Sequence, residues 1–113
     1  MQVTDDVGNR DILERMRRAA AKRILFLPHA ISQMNSPDRM ISTREVRAVV
    51  LRGKVIEDYP EDVRGHSCLM LGRGGGGRPV HVVCAPKQDY LAIITAYLPD
   101  AERWEQNWET RRN

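Results

Sequence analysis

Along the first quarter of the chain, apolar residues recur at three- and four-residue steps. Ile12, Leu13, Met16, Ala20, Ile24 and Leu27 fall on one face of an amphipathic helix. Pro28 closes it, because the residue before a proline avoids the α region. His29 to Met34 reads as a short second helix, stopped by Asn35-Ser36-Pro37. A third begins at Ser42. There Ser42-Thr43-Arg44-Glu45 has the form of a capping box, with Ile41 and Val46 placed as a hydrophobic staple. Val46, Val49 and Val50 make its apolar stripe, and Gly53 is expected as a left-handed stop.

From Lys54 the period changes to two. Strands are predicted near 54–59, 67–72, 79–84 and 91–97. The glycine-rich stretch 72–78 joins the second and third as a flexible loop. Ala85-Pro86-Lys87-Gln88-Asp89 joins the third and fourth as a turn. Such short connections make the strands antiparallel neighbours. Pro99-Asp100 opens a last helix in which Ala101, Trp104 and Trp108 share a face, and the tail after it is expected to fray. The predicted fold is therefore α+β: N-terminal helices packed on a four-stranded, mainly antiparallel sheet, with a short C-terminal helix.

Centring the glycine loop on Gly75 sets Cys68 opposite Val82. Centring the next turn between Lys87 and Gln88 sets Val82 opposite Ile93 and Val80 opposite Thr95. One face then carries His66, Cys68, Met70, Val80, Val82, Cys84, Leu91, Ile93, Thr95 and Tyr97. The other carries Ser67, Leu69, Leu71, His81, Val83, Ala92, Ile94 and Ala96. A one-residue slip in either hairpin reverses these assignments.

The length of 113 residues fits one domain, with a basic helical extension over 1–27, a core over 28–108 and a tail over 109–113. No apolar run approaches the roughly 20 residues needed to span a bilayer. The acidic, polar start lacks the layout of a signal peptide, so a cytoplasmic location is expected. There Cys68 and Cys84 are expected as free, packed thiols.

The net charge of +3 is small, but it is unevenly spread. Arg10, Arg15, Arg17, Arg18, Lys22 and Arg23 face only Asp11 and Glu14 within residues 10–23. Such a segment is either a solvated helix face or a contact surface for RNA or an acidic protein.

Four groups carry candidate chemistry. His66-Ser67-Cys68 and His81-Val82-Val83-Cys84 suggest zinc, but His81 points to the other face and the spacing lacks paired CxxC knuckles. No metal or cofactor is expected. The glycine run has no Gly-Lys-Ser/Thr and precedes a strand, so it is no phosphate cradle, although Arg73 and Arg78 beside it could touch an RNA backbone. Glu57, Asp58, Glu61 and Asp62 form either a solvated turn or a Mg²⁺ site. Arg64, His66, His81, Lys87 and Tyr97 are the residue types that metal-free RNA cleavage needs: a base, an acid and cations for the phosphate.

His29-Ala30, then 55–60 (VIEDYP), 64–72 (RGHSCLMLG), 78–84 (RPVHVVC), 93–100 (IITAYLPD) and Trp104 together resemble the domain-of-unknown-function family 4258. The likeness covers about residues 27–108. The family's second helix reads His-Ala-x-x-Arg-Met, and here Gln33 stands at the arginine, with Ser36-Pro37-Asp38 lengthening the link to Ile41. The resemblance implies a RelE/ParE-like toxin of a bacterial toxin–antitoxin pair, often encoded beside a small zinc-finger antitoxin of the type that partners MqsR ribonucleases. The expected function is a metal-independent endoribonuclease, with His66, Tyr97 and His81 as catalytic candidates and Arg64, Lys87, Arg73 and Arg78 on the phosphates. The alternative is a non-catalytic protein-binding domain.

Overall fold

The computed structural model describes the backbone from residue 3 and the side chains from Gly8 to the C-terminus; Met1 and Gln2 of the predicted extension lie outside the described residues. The elements run α1 (Val3–Lys22), β1 (Ile24–Phe26), α2 (Pro28–Met34), α3 (Thr43–Arg52), β2 (Lys54–Tyr59), β3 (Ser67–Arg73), β4 (Pro79–Pro86) and β5 (Leu91–Tyr97). The five strands form one mixed sheet in the order β1-β5-β4-β3-β2.

The α+β class is as expected, and the fifth strand is the correction. Helix α1 stops at Lys22 instead of running on to Leu27. Ile24, Leu25 and Phe26 then pair in parallel with Leu91, Ala92 and Ile93. Ile24 and Leu27 do continue the helical spacing. However, a β-branched and an aromatic residue in this short run also suit a strand, and the edge of β5 supplies partners for its backbone. Pro28 therefore opens α2 and does not close α1.

Helix α3 is capped as its sequence dictates: the Ser42 hydroxyl accepts from the Glu45 amide at 3.1 Å, and Glu45 accepts in return from the Ser42 amide at 3.0 Å. Gly53 ends α3 with φ −79° and ψ −172°, an extended conformation open to any residue. Its lack of a side chain matters for another reason. A Cβ there would lie 2.5 Å from the carbonyl oxygens of both Leu71 and Val49.

The glycine loop is a 3-10 turn over Gly75–Gly77, with a hydrogen bond from the Gly74 amide to the Arg78 carbonyl closing its base. The loop centres on Gly76, so Cys68 pairs with Cys84 and Met70 with Val82. This shift of two residues preserves which face each side chain takes. The β4–β5 register differs by an odd step. Cys84 pairs with Ile93 but Val83 pairs with Thr95, which leaves Ile94 as the extra residue of a β-bulge. Beyond the bulge, Thr95, Ala96 and Tyr97 change faces relative to the expected register. His81 now stands directly opposite Tyr97.

Helices α1, α2 and α3 cover the inner face of the sheet. Ile12, Met16 and Ala19 of α1 join Val46, Val49 and Val50 of α3 and Met70, Val82 and Ile93 of the sheet in one core cluster. The outer face carries Leu69, Leu71, His81, Ala85 and Ala92, all buried. Its cover is residues 99–112, and this segment is not the predicted helix. It is a series of turns tied by a bridge between Trp104 and Arg111. Trp108 has φ +62°, and the Asn107 side chain accepts from the amides of Glu109 and Thr110, which diverts the backbone from a helical ladder. The tail is tied back to these turns: the Arg112 amide donates to the Arg103 carbonyl at 2.8 Å.

Candidate functional site

The structure divides the expected constellation between opposite faces of the sheet. His66 lies at the inner-face edge, just before β3, while Tyr97 and His81 meet on the outer face. The expected grouping of His66 with Tyr97, and the separation of Tyr97 from His81, are both reversed by the Ile94 bulge.

On the outer face His81 is fully buried. Its ring stands edge-on to Trp104 at 4.5 Å between centroids. The Nε2–H donates to the Trp108 carbonyl at 2.8 Å, which leaves Nδ1 to accept from the Tyr97 hydroxyl at 3.2 Å. Burial lowers the His81 pKa below its ordinary 6.5, so the neutral imidazole is the resting form. Burial likewise raises the Tyr97 pKa, which keeps the phenol protonated.

Tyr97 opens on a cleft of about 520 Å³ lined by Gln33, Arg39, Leu98, Asp100, Arg103, Trp104 and Arg111. Arg111 stacks over the Trp104 ring at 4.6 Å and donates to both carboxylate oxygens of Glu57, at 2.8 and 3.0 Å. Tyr59 also donates to Glu57. Burial alone would raise the Glu57 pKa, but the bonds from Arg111 and Tyr59 outweigh it and the net shift is downward. Arg39 donates to the Gln33 side chain. A guanidinium from the lengthened link thus sits beside the position where the family's second helix carries its arginine.

His66 is held between two charged partners. Its Nε2 donates to Asp58 at 2.5 Å, and its Nδ1 accepts from Arg15 of α1 at 2.8 Å. Arg64 forms a double link to its neighbour Asp62, at 3.0 and 2.9 Å, which pulls the Asp62 pKa down. Lys87 donates to the Arg64 carbonyl at 2.5 Å. Gly65 has φ +106°, so the backbone there favours glycine, and a Cβ would press only on the end of the flexible Lys87 side chain.

Of the remaining candidates, Arg78 is spent on structure. It donates to Glu45 at 3.1 and 3.0 Å and to the carbonyls of Arg39 and Met40, pinning the hairpin to α3. Burial raises the Glu45 pKa, but Arg78 and the Ser42 and Gly75 amides together bring it down to about 2. Arg73 is exposed and borders a separate groove with Arg52 and Lys54. The acidic cluster is dispersed: Glu57 takes Arg111, Asp58 takes His66 and Asp62 takes Arg64. Cys68 and Cys84 are free and buried, with sulfurs 3.9 Å apart, and their mutual hydrogen bond and burial hold the Cys84 thiol well above its usual pKa. Among the described residues no three His, Cys, Asp or Glu side chains are grouped as metal ligands would be.

Sequence reasoning missed Arg39, Arg103 and Arg111. Their spacing follows no motif, because the cleft is assembled from a loop and turns. The signal within reach was Arg103-Trp104 followed by Arg111-Arg112 after the last strand, an aromatic and basic mixture suited to a nucleic acid.

The family model described as Domain of unknown function (DUF4258) matches residues 26–98. No curated protein and no solved structure matches the chain. No helix among the described residues is long and apolar enough to cross a membrane.

Proposed function

We propose, for a chain that belongs to the DUF4258 family, that it is an RNA endonuclease working without a metal ion, the RelE/ParE-like toxin of a toxin–antitoxin pair. The observation that carries this is the outer cleft, where Tyr97, bonded to the buried His81 behind it, lies among the guanidinium groups of Arg39, Arg103 and Arg111. Cleavage of RNA by its own 2′-hydroxyl needs a proton acceptor at that hydroxyl and positive charge at the phosphate. Tyr97 passes its proton to His81 Nδ1 as it takes one from the 2′-hydroxyl. The 2′-oxygen bonds to phosphorus and the bond to the 5′-oxygen breaks. That leaving oxygen takes its proton from water. Burial and Arg111 oppose the imidazolium so formed, and the Trp108 carbonyl and the nearby Glu57 carboxylate offset part of that cost. The arginines offset the charge that builds on the phosphate oxygens.

His66 stands outside this mechanism, since both its ring nitrogens are engaged on the other face. The expected partner is a zinc-finger antitoxin that covers the cleft. The test is cleavage of a single-stranded RNA by purified variants. Tyr97→Phe keeps the ring and is expected to lose about 10²- to 10⁴-fold in rate while remaining folded. His66→Ala is expected to cleave as the wild type does. Wild-type cleavage by Tyr97→Phe would sink the proposal, and loss confined to His66→Ala would move the chemistry to the other face.

A further inference from the structure

Among the described residues, five of the eighteen arginines and lysines have a carboxylate within 4.0 Å. Arg64, Arg78 and Arg111 are each paired within 3.0 Å. Unpaired cations converge on a concave patch where the C-terminal half of α1 passes the β4–β5 turn. Arg15, Arg18 and Lys22 from the helix converge there with Lys87 and Gln88 on a cleft of about 320 Å³. Among the described residues none of these four cations has a carboxylate within 4.0 Å. Instead each long side chain that bonds at all bonds to a neutral acceptor: Lys22 to the Gln88 carbonyl at 2.9 Å, Lys87 to the Arg64 carbonyl and Arg15 to the His66 ring. These bonds fix where the charges sit without neutralising them.

We infer that this cleft is a docking groove for the sugar–phosphate backbone of single-stranded RNA. The inference rests on the RNA reading above and places a second contact on the opposite face of the sheet from the cleavage cleft. Four uncompensated positive charges aimed at one concavity call for several negative charges in a row. The lining also favours RNA over an acidic protein. Apart from Ala19 and Pro86 it is polar or charged, and it offers no aromatic or large aliphatic anchor of the kind that carries a protein interface. For the same reason it has no platform on which to stack a base. It therefore binds the backbone irrespective of sequence and leaves selection to the outer cleft.

The experiment uses full-length protein carrying Tyr97→Phe, so that RNA is bound and not consumed, and a fluorescein-labelled single-stranded RNA. Fluorescence anisotropy gives the dissociation constant over a series of salt concentrations. Each phosphate neutralised on a single strand contributes about −0.7 to the slope of log affinity against log salt. Adding Arg18→Ala and Lys22→Ala, both at exposed positions, is expected to flatten that slope by about 1.4 and to weaken binding roughly tenfold at low salt. Lys87→Ala, which leaves α1 untouched, is expected to flatten it by about 0.7. An unchanged slope in both variants overturns the inference. So does a double variant that binds RNA normally but no longer binds an acidic polypeptide such as polyglutamate, since the groove would then be a protein surface. If the protein cleaves no RNA at all, the slopes still decide whether the groove binds it.

Discussion

The two faces of the sheet are buried by different means. The inner face is covered by regular helices and filled with aliphatic side chains such as Ile12, Met16, Val46 and Ile93, which need shape and little else. The outer face is covered by turns, and its central residue is a buried histidine that needs a partner at each nitrogen. Apolar burial is non-directional and scales with area, so the inner face supplies stability that no single polar contact controls. A buried polar network is directional, and each of its members depends on the others. The face that is costlier to assemble is the one from which Tyr97 lines the cleft.

The sharpest way to break this contrast is to open the inner face. Met16→Ala, at a fully buried position, is expected to destabilise by about 2–5 kcal/mol in urea denaturation. A loss well below 1 kcal/mol would mean that α1 is an appendage and not part of the core. The outer face is tested by acid. The folded His81 pKa lies below that of the unfolded chain, so the unfolded state takes up the proton first. The resulting stability is complete above pH 6.5 and declines as pH falls through that value. The expected decline is about 1.4 kcal/mol per pH unit while that difference in one proton persists. His81→Gln, which retains a donor and an acceptor without titrating in this range, should flatten the profile below pH 6.5. Identical profiles would remove His81 from the account. The smallest effect is expected at the rim, where Lys54 and Glu109 form an exposed pair tying the C-terminal turns to β2. Lys54→Ala should cost about 0–1 kcal/mol and become silent in high salt. A larger loss would show that this pair clamps the whole outer cover.

Much of the inner face was legible from the chain alone. The Ser42–Glu45 box, the valine stripe and the alternation from Lys54 onward are local signals, and each formed where local chemistry put it. The partition of β3 and β4 between faces also held, because the loop length was misjudged by an even number of positions. The outer cleft was not legible. A bulge at Ile94 leaves no trace in a run of apolar residues, yet it exchanges Thr95, Ala96 and Tyr97 between faces. The C-terminal segment has helical spacing at Ala101, Trp104 and Trp108, but Asn107 and the positive φ of Trp108 hold it in turns. Strand β1 was hidden similarly, since three residues cannot display a period.

Helix α1 and the C-terminal turns share one property: both lie outside residues 26–98, the span that the family model matches. The matched span contains α2, α3 and strands β2 to β5. The cations of the basic groove come largely from α1, and Trp104, Arg103 and Arg111 come from the other end of the chain. Membership in the family therefore vouches for the scaffold and for Tyr97 and His81, while most of the proposed groove and part of the proposed cleft come from the flanks. A description transferred between members by that match alone would inherit the frame without the fingers, and the flanks are where members should be compared when asking whether two of them share a target.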